Sequence, residues 1–325
     1  MPSTGQWQPS PSIAHENQQP TNQLTNMISF NGIFPPLPTS FDDNETLSPE
    51  KIQYNIMALS QYPLAGFLIL GSNGELVMLS EKEKTETYHA ARQAIPAGKL
   101  MLAGTGGQST RETILLTREA SRAGADAALV LHPFYYKGLM DKEALVAHYH
   151  AVAESSEIPV LIYNMPANSG MDLGADIILE ISTHPNIIGL KDSGGNLAKM
   201  GQVIGQSKPG FQVLAGSAGF LLPALSLGAV GGILALANIA PEACINIYNN
   251  FQQGDLEIAK KLQHQIIPPN TAVTRQWGVP ALKAAMDHLG LYGGPARQPI
   301  QPMKPEIKNK LLKILQHAGI QPIKP

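Results

Sequence analysis

Residues 159–191 read Pro159-Val-Leu-Ile-Tyr-Asn-Met-Pro-Ala-Asn-Ser-Gly-Met-Asp-Leu-Gly-Ala-Asp-Ile-Ile-Leu-Glu-Ile-Ser-Thr-His-Pro-Asn-Ile-Ile-Gly-Leu-Lys191. An apolar run, Pro159 to Tyr163, meets a cluster of Asn, Pro, Ser and Gly. A helix-like stretch follows, and a second run, Ile187 to Lys191, completes the unit. Short, continuous apolar runs bounded by breakers suit strands buried on both faces, as in a parallel sheet covered by helices.

The same unit recurs on both sides. Upstream stand Gly32 to Leu37, Ala65 to Leu70, Leu100 to Gly104 and Ala127 to Leu131; downstream stand Phe211 to Ala215 and Gly231 to Ala237. The runs recur at roughly 20 to 34 residues, the length one strand-plus-helix unit consumes. Eight such runs alternating with helical stretches predict an α/β protein, a (β/α)8 TIM barrel. The alternative, an open doubly wound sheet, lacks a dinucleotide fingerprint: Gly104-Thr-Gly106-Gly107 is not GxGxxG. The first run carries Pro35 and Pro36, which suit a strand entrance or an irregular edge.

Helix signals fill the intervals. Ser80-Glu-Lys-Glu83 and Ser109-Thr-Arg-Glu112 fit capping boxes. Asp141 fits an N-cap for a helix to about Ser155, and Gly124 fits a left-handed C-cap. Helical patterns at about 241–253, 255–267, 272–290 and 303–318 exceed what a minimal barrel needs. The expected organisation is a disordered tail at 1–28, a barrel at 29–240 and a C-terminal helical extension at 241–325.

The chain has 325 residues, of which 43% are hydrophobic, enough for a large core. Its net charge of −2 gives no electrostatic reason to expect nucleic acid or an anionic membrane as partner. No apolar run approaches the ~20 residues of a membrane span. A single cysteine, Cys244, excludes an intrachain disulfide and a Cys-based metal site. No HExxH and no dense His/carboxylate cluster is present, and His148 and His150 at i, i+2 do not share a helix face, so no metal is expected. The first basic residue is Lys51, so the N-terminal stretch lacks the charge of a mitochondrial presequence, and a cytoplasmic location is expected.

In a barrel of this kind the chemistry gathers where strands end. The sixth run ends in Lys191. Apolar walls disfavour an ammonium ion, and a free amine attacks a ketone to form a Schiff base whose iminium withdraws electrons from the neighbouring carbon. The plainer alternative is a Lys paired with an acid at the rim. Tyr163 ends the adjacent run at the same level; a phenol there can move protons, or simply pack its ring. After the second run, Gly71-Ser72-Asn73-Gly74-Glu75 permits a tight turn whose N–H groups, with the Ser and Asn side chains, suit a carboxylate. His132-Pro-Phe-Tyr135-Tyr136 sets two phenols at the fourth strand end, where aromatic packing at a subunit contact is the alternative. Glycines at 216, 219, 228, 231 and 232 leave a phosphate site near the last strands as a minor alternative.

Lys191, Tyr163 and the Gly71–Glu75 turn, together with Tyr163-Asn-Met-Pro-Ala-Asn-Ser-Gly170, Pro185 to Gly195, Val213 to Phe220 and Ala272-Val-Thr-Arg275, resemble the dihydrodipicolinate synthase / N-acetylneuraminate lyase superfamily. Within it the chain is most similar to 4-hydroxy-2-oxoglutarate aldolases, over about residues 29–320. The resemblance implies a cofactor-free class I aldolase acting on a small 2-oxo acid and giving pyruvate and glyoxylate. It implies Lys191 as the imine-forming residue and Tyr163 as acid–base, in a relay with Ser72 and with Tyr135 lent by a neighbouring subunit of a homotetramer. It implies Ser72 and Asn73 at the pyruvyl carboxylate, and Ser193, Asn168 and Gly216 along the distal part of the substrate. Eukaryotic members of the aldolase group are often mitochondrial. The synthases carry Thr-Thr where Ser72 and Asn73 stand, and an Arg where Asn168 stands. An Asn binds a second carboxylate poorly compared with a bidentate Arg. Another lyase, dehydratase or synthase of the superfamily, or a non-catalytic barrel that binds small acids, are the alternatives.

Overall fold

A computed structural model of the chain describes residues 28–323. The tail expected over 1–28 therefore lies outside the described residues but for its last position. Eight parallel strands, β1 (Gly32–Phe34), β2 (Gly66–Ile69), β3 (Leu100–Gly104), β4 (Ala127–Leu131), β5 (Val160–Asn164), β6 (Ile187–Asp192), β7 (Gln212–Ala215) and β8 (Gly231–Ile233), pair in sequence order, and β8 pairs with β1. The ring is completed between β1 and β2 by one parallel bridge, Pro36 to Leu68. Pro35 and Pro36 have no N–H to give a ladder, so that seam is carried by Leu68 N–H to Pro35 O at 3.0 Å and Leu37 N–H to Leu68 O at 2.9 Å. The result is the TIM barrel read from the eight runs.

Two apolar layers hold it. Inside the barrel, Phe34, Leu68, Leu102, Leu129, Leu161 and Leu214 pack with Tyr163 in one cluster. The alternate residues face outward against the helices, where Ile69, Ala103, Val130, Ile162, Leu190 and Val213 join the main core. Burial of this kind contributes about 25 cal/mol per Å2 of apolar surface.

The intervals form helices where the caps predicted them. Ser80 and Glu83 make a full capping box ahead of the helix Glu81–Ala94. Ser109 accepts the Glu112 N–H, but the Glu112 carboxylate turns to the Gln108 N–H at 3.1 Å, so that box is half formed. Asp141 caps the helix Lys142–Glu154 by accepting the Ala144 N–H. Gly124 takes φ +89°, the left-handed geometry expected of it.

The last run is shorter as a strand than its sequence suggests. After Ile233 the chain turns into a short 3-10 helix, Ala235–Asn238, where Asn238 Nδ2 donates to Ala235 O and Pro36 O. Beyond it come the helices Pro241–Gln253, Leu256–Thr271, Gly278–His288 and Pro305–His317, with a π-turn at Ala272–Gln276. The second of these continues through Pro268 and Pro269 rather than ending at 267. Packing overrides the proline penalty: Gln263 accepts the Leu222 N–H and donates to Ala218 O, and Asn270 donates to Ser217 Oγ. Among the described residues no helix is long and apolar enough to cross a membrane.

Candidate active site

The site is set by a one-residue irregularity in β6. Val160 pairs with Ile187, but Leu161 pairs with Gly189, so Ile188 is an extra residue opposite β5. Side chains alternate along a strand, and one inserted residue reverses the alternation beyond it. Leu190 thereby joins the outer core, and Lys191 shares the inward orientation of its register partner Tyr163. Without the insertion the amine would face the helices.

Lys191 is 3% exposed, and its Nζ stands 4.2 Å from the centroid of the Tyr163 ring. The Tyr163 hydroxyl lies 3.1 Å from Ser72 Oγ. Three strand ends, those of β2, β5 and β6, thus bring together the amine, the phenol and the first residue of the Ser72–Gly74 turn. The acid nearest Lys191 in the chain is engaged elsewhere. Asp192 is fully buried; its carboxylate accepts Asn164 Nδ2 at 2.9 Å and Gly194 N–H at 2.7 Å, and pairs with Lys199 Nζ at 3.3 Å. The reading of Lys191 as half of a rim ion pair finds no partner among the described residues.

This second cluster escaped the sequence reading. Asn164 and Asp192 are register partners one step beyond Tyr163 and Lys191, and both face away from the barrel axis. Lys199 pairs with Asp172 as well as Asp192, and Asn164 Nδ2 reaches Asp172 Oδ1 at 2.8 Å. Partial burial pushes the Asp172 carboxyl up, but Lys199 and Asn164 outweigh it and hold the group below its usual range. The signal available in the sequence was a polar residue directly after each of two neighbouring apolar runs.

The turn after β2 is constrained at both ends. Leu70 and Glu75 adopt φ +57° and +55°, left-handed values that non-glycine residues rarely take. Ser72 and Asn73 lie between them, half-buried. Thr39 Oγ1 donates to Gly74 O at 2.6 Å, which fixes the turn from the β1 side.

The remaining expected residues follow the ends of β4, β5, β6 and β7. Ser193 follows β6, and its N–H donates to Asn164 O at 2.9 Å. Gly216 follows β7 and its N–H donates to Asp192 O at 2.7 Å; a Cβ there would stand 2.1 Å from Ser193 Oγ and 2.6 Å from Asp192 O, so any larger residue forces the strand ends to shift. Asn168 sits exposed on the one-turn helix Pro166–Ser169. Tyr135 is 74% exposed and does not join the Ser72–Tyr163–Lys191 group within the chain; Gln108 Oε1 accepts its backbone N–H. His148 and His150 diverge, the first to Thr110 Oγ1 at 2.9 Å and the second to Ile181 O at 3.2 Å.

Comparison with known proteins places the fold in a family. A sequence model of the Dihydrodipicolinate synthetase family matches residues 29–318. The chain is 39% identical over 273 residues to a Probable 4-hydroxy-2-oxoglutarate aldolase, mitochondrial, of Emericella nidulans, covering 82% of this chain and 88% of that one. It is 35% identical over 291 residues to a 4-hydroxy-tetrahydrodipicolinate synthase of Methanococcoides burtonii, covering 89% and 99%. Among solved structures, YagE of E. coli, crystallised in complex with pyruvate, superposes with a TM-score of 0.85 at 30% identity, covering 90% of this chain and 99% of that one. A dihydrodipicolinate synthase of Bacillus anthracis gives a TM-score of 0.86 at 28% identity, over 89% and 99%. With the barrel and a match spanning nearly all the described residues in agreement, the chain belongs to the Dihydrodipicolinate synthetase family of aldolases and synthases.

Proposed function

We propose that this chain is a class I aldolase that cleaves 4-hydroxy-2-oxoglutarate to pyruvate and glyoxylate, with Lys191 as the imine-forming amine. The observation that carries the reading is the buried Lys191 amine 4.2 Å from the ring of Tyr163, whose hydroxyl is 3.1 Å from Ser72 Oγ. Ser72 and Asn73 receive the pyruvyl carboxylate. Lys191 Nζ adds to the C2 ketone, and loss of water leaves an iminium. Tyr163 takes the 4-hydroxyl proton; the C3–C4 bond breaks, its electron pair moves into the iminium, and glyoxylate departs. The enamine left behind gains a proton at C3, and water releases pyruvate and the free amine. General acid–base help of this kind contributes about 10²–10⁴-fold.

Asn168 disfavours condensation with aspartate semialdehyde and matches the aldolase side of the resemblance, without itself supplying a grip on the distal carboxylate of 4-hydroxy-2-oxoglutarate. In the resemblance drawn from the sequence, the synthases carry at that position an Arg that grips a second carboxylate bidentately, a role an Asn fills poorly. The Emericella relative bears the aldolase name. Ser193 and Gly216 line the distal side of the substrate in this reading. The exposed Tyr135, beside Tyr136 and Leu139 at 67% and 69% exposed, fits a loop that enters a neighbouring subunit of a homotetramer.

The test is a substrate panel: 4-hydroxy-2-oxoglutarate, a 2-keto-3-deoxy sugar acid, and pyruvate with aspartate semialdehyde. Pyruvate and glyoxylate in equal amounts from the first, at the highest kcat/KM of the panel, is the expected result. Faster condensation with aspartate semialdehyde would replace the aldolase reading by the synthase one.

A further inference from the structure

The turn that carries Ser72 and Asn73 ends at Glu75, and Glu75 is tied to a part of the chain far away in sequence. Its Oε1 pairs with Lys283 Nζ at 2.7 Å, with both side chains 1% exposed. Its Oε2 accepts the Arg297 backbone N–H at 2.8 Å. Lys283 Nζ also donates to Pro295 O at 2.6 Å and lies 4.7 Å from the centroid of the Phe41 ring. Arg297 then locks the same region from its side chain, bonding Glu45 O at 2.6 Å, Met78 O at 2.9 Å and both oxygens of Glu83. Its guanidinium carbon is 4.2 Å from the Phe41 ring centroid.

A buried ion pair is weak evidence for stability, because desolvation of both charges offsets their attraction; what such a pair does well is fix one geometry. Here the fixed geometry is unusual, since Glu75 itself is held at φ +55°. A residue in that region relaxes unless its surroundings over-determine it. The Glu75 carboxylate supplies the constraint, with an ion pair to one segment of the C-terminal extension and a hydrogen bond from another. Three residues upstream, Ser72 Oγ meets the Tyr163 hydroxyl.

We propose that Glu75 and Lys283 are positioning residues that clamp the Ser72–Asn73 turn to the Lys283–Arg297 segment and so set the site's affinity for the 2-oxo acid carboxylate. The proposal rests on the reading that this turn receives that carboxylate. It gives the C-terminal extension a part in substrate binding, although among the described residues no hydrogen bond or ion pair runs from the extension to the Ser72–Tyr163–Lys191 group.

Two measurements test it, both with pyruvate as probe. The first uses Glu75→Gln/Lys283→Met, which removes both charges together and leaves no unpaired ion in the core. Its Tm reports stability, and the pyruvate concentration giving half-maximal borohydride trapping at Lys191 reports the turn. A misplacement on the order of 1 Å changes such a constant by about 10- to 100-fold. The expected result is a near-native Tm with a half-saturating concentration raised by about that factor. The second uses the unaltered protein: hydrogen exchange in the peptide covering residues 293–298 is expected to slow once pyruvate is trapped. Where the double variant does not fold, exchange in the native protein decides alone. A folded double variant with native half-saturation, or native exchange that pyruvate leaves unchanged, overturns the proposal. A native chain that traps no pyruvate removes the reading beneath it, and the proposal with it.

Discussion

The Tyr163 hydroxyl stands 3.1 Å from Ser72 Oγ, so a phenol at the end of β5 and a hydroxyl in the turn after β2 share one hydrogen bond, while the Lys191 amine lies 4.2 Å from the centroid of the same tyrosine ring. In the proposed mechanism that bond is the phenol's route for its proton.

Tyr163→Phe keeps the ring against Lys191 and removes the hydroxyl. It is expected to lower kcat by about 10²–10⁴-fold with little change in KM. Steady-state kinetics on the preferred substrate measure this, and a native kcat contradicts the role. Borohydride trapping of pyruvate should persist in the variant at a reduced rate, since the amine is still in place.

Gly216→Ala introduces a Cβ 2.1 Å from Ser193 Oγ and 2.6 Å from Asp192 O. Backbone is met as well as side chain, so the strand ends must shift. The expected cost is roughly 1–3 kcal/mol of stability, as for overpacking elsewhere. A lowered Tm together with a reduced kcat/KM is the expected outcome; a native Tm would show that the β6 and β7 ends yield more readily than their hydrogen bonds indicate.

Stability should fall on mild acidification because of two buried histidines behind the β4 end. His132 and His148 are 0% and 4% exposed, and neither Nε2 has a hydrogen-bond partner among the described residues. Burial, reinforced by His132 nearby, lowers the His148 pKa from 6.5 to about 4; burial lowers His132 as well. The unfolded chain therefore takes up a proton below pH 6.5 that the folded chain refuses until about pH 4, and stability rises with pH across that window. Integrated over the window, the loss from His148 is about 3 kcal/mol. Glu83 acts at lower pH: the Arg297 guanidinium beside it, with Ser80, lowers its carboxyl from 4.5 to about 2, so the stability it adds disappears below pH 4.5. Thermal melts from pH 7 to pH 5 should show a decline that His148→Gln flattens. An equally steep decline in that variant would assign the effect elsewhere.

The barrel was legible because parallel strands buried on both faces leave continuous apolar runs, and runs at 100–104 and 127–131 coincide with β3 and β4. Lys191 and Tyr163 were legible because a polar residue ending such a run stands out. The insertion of Ile188 was not, since an all-apolar run such as Ile187-Ile-Gly-Leu190 carries no alternation from which facing can be read. The Glu75–Lys283 pair was invisible for another reason: its partners are brought together by the path of the whole C-terminal extension, which no local pattern encodes. Pro268 and Pro269 misled in the opposite sense, because local propensity ends a helix that tertiary bonds from Gln263 and Asn270 carry onward.

The most direct test of the account is mass spectrometry after borohydride reduction in the presence of pyruvate, with the modified peptide sequenced. One adduct per chain, on Lys191 and absent from Lys191→Ala, is the predicted result. An adduct on another lysine, or none while substrate is turned over, would contradict the account.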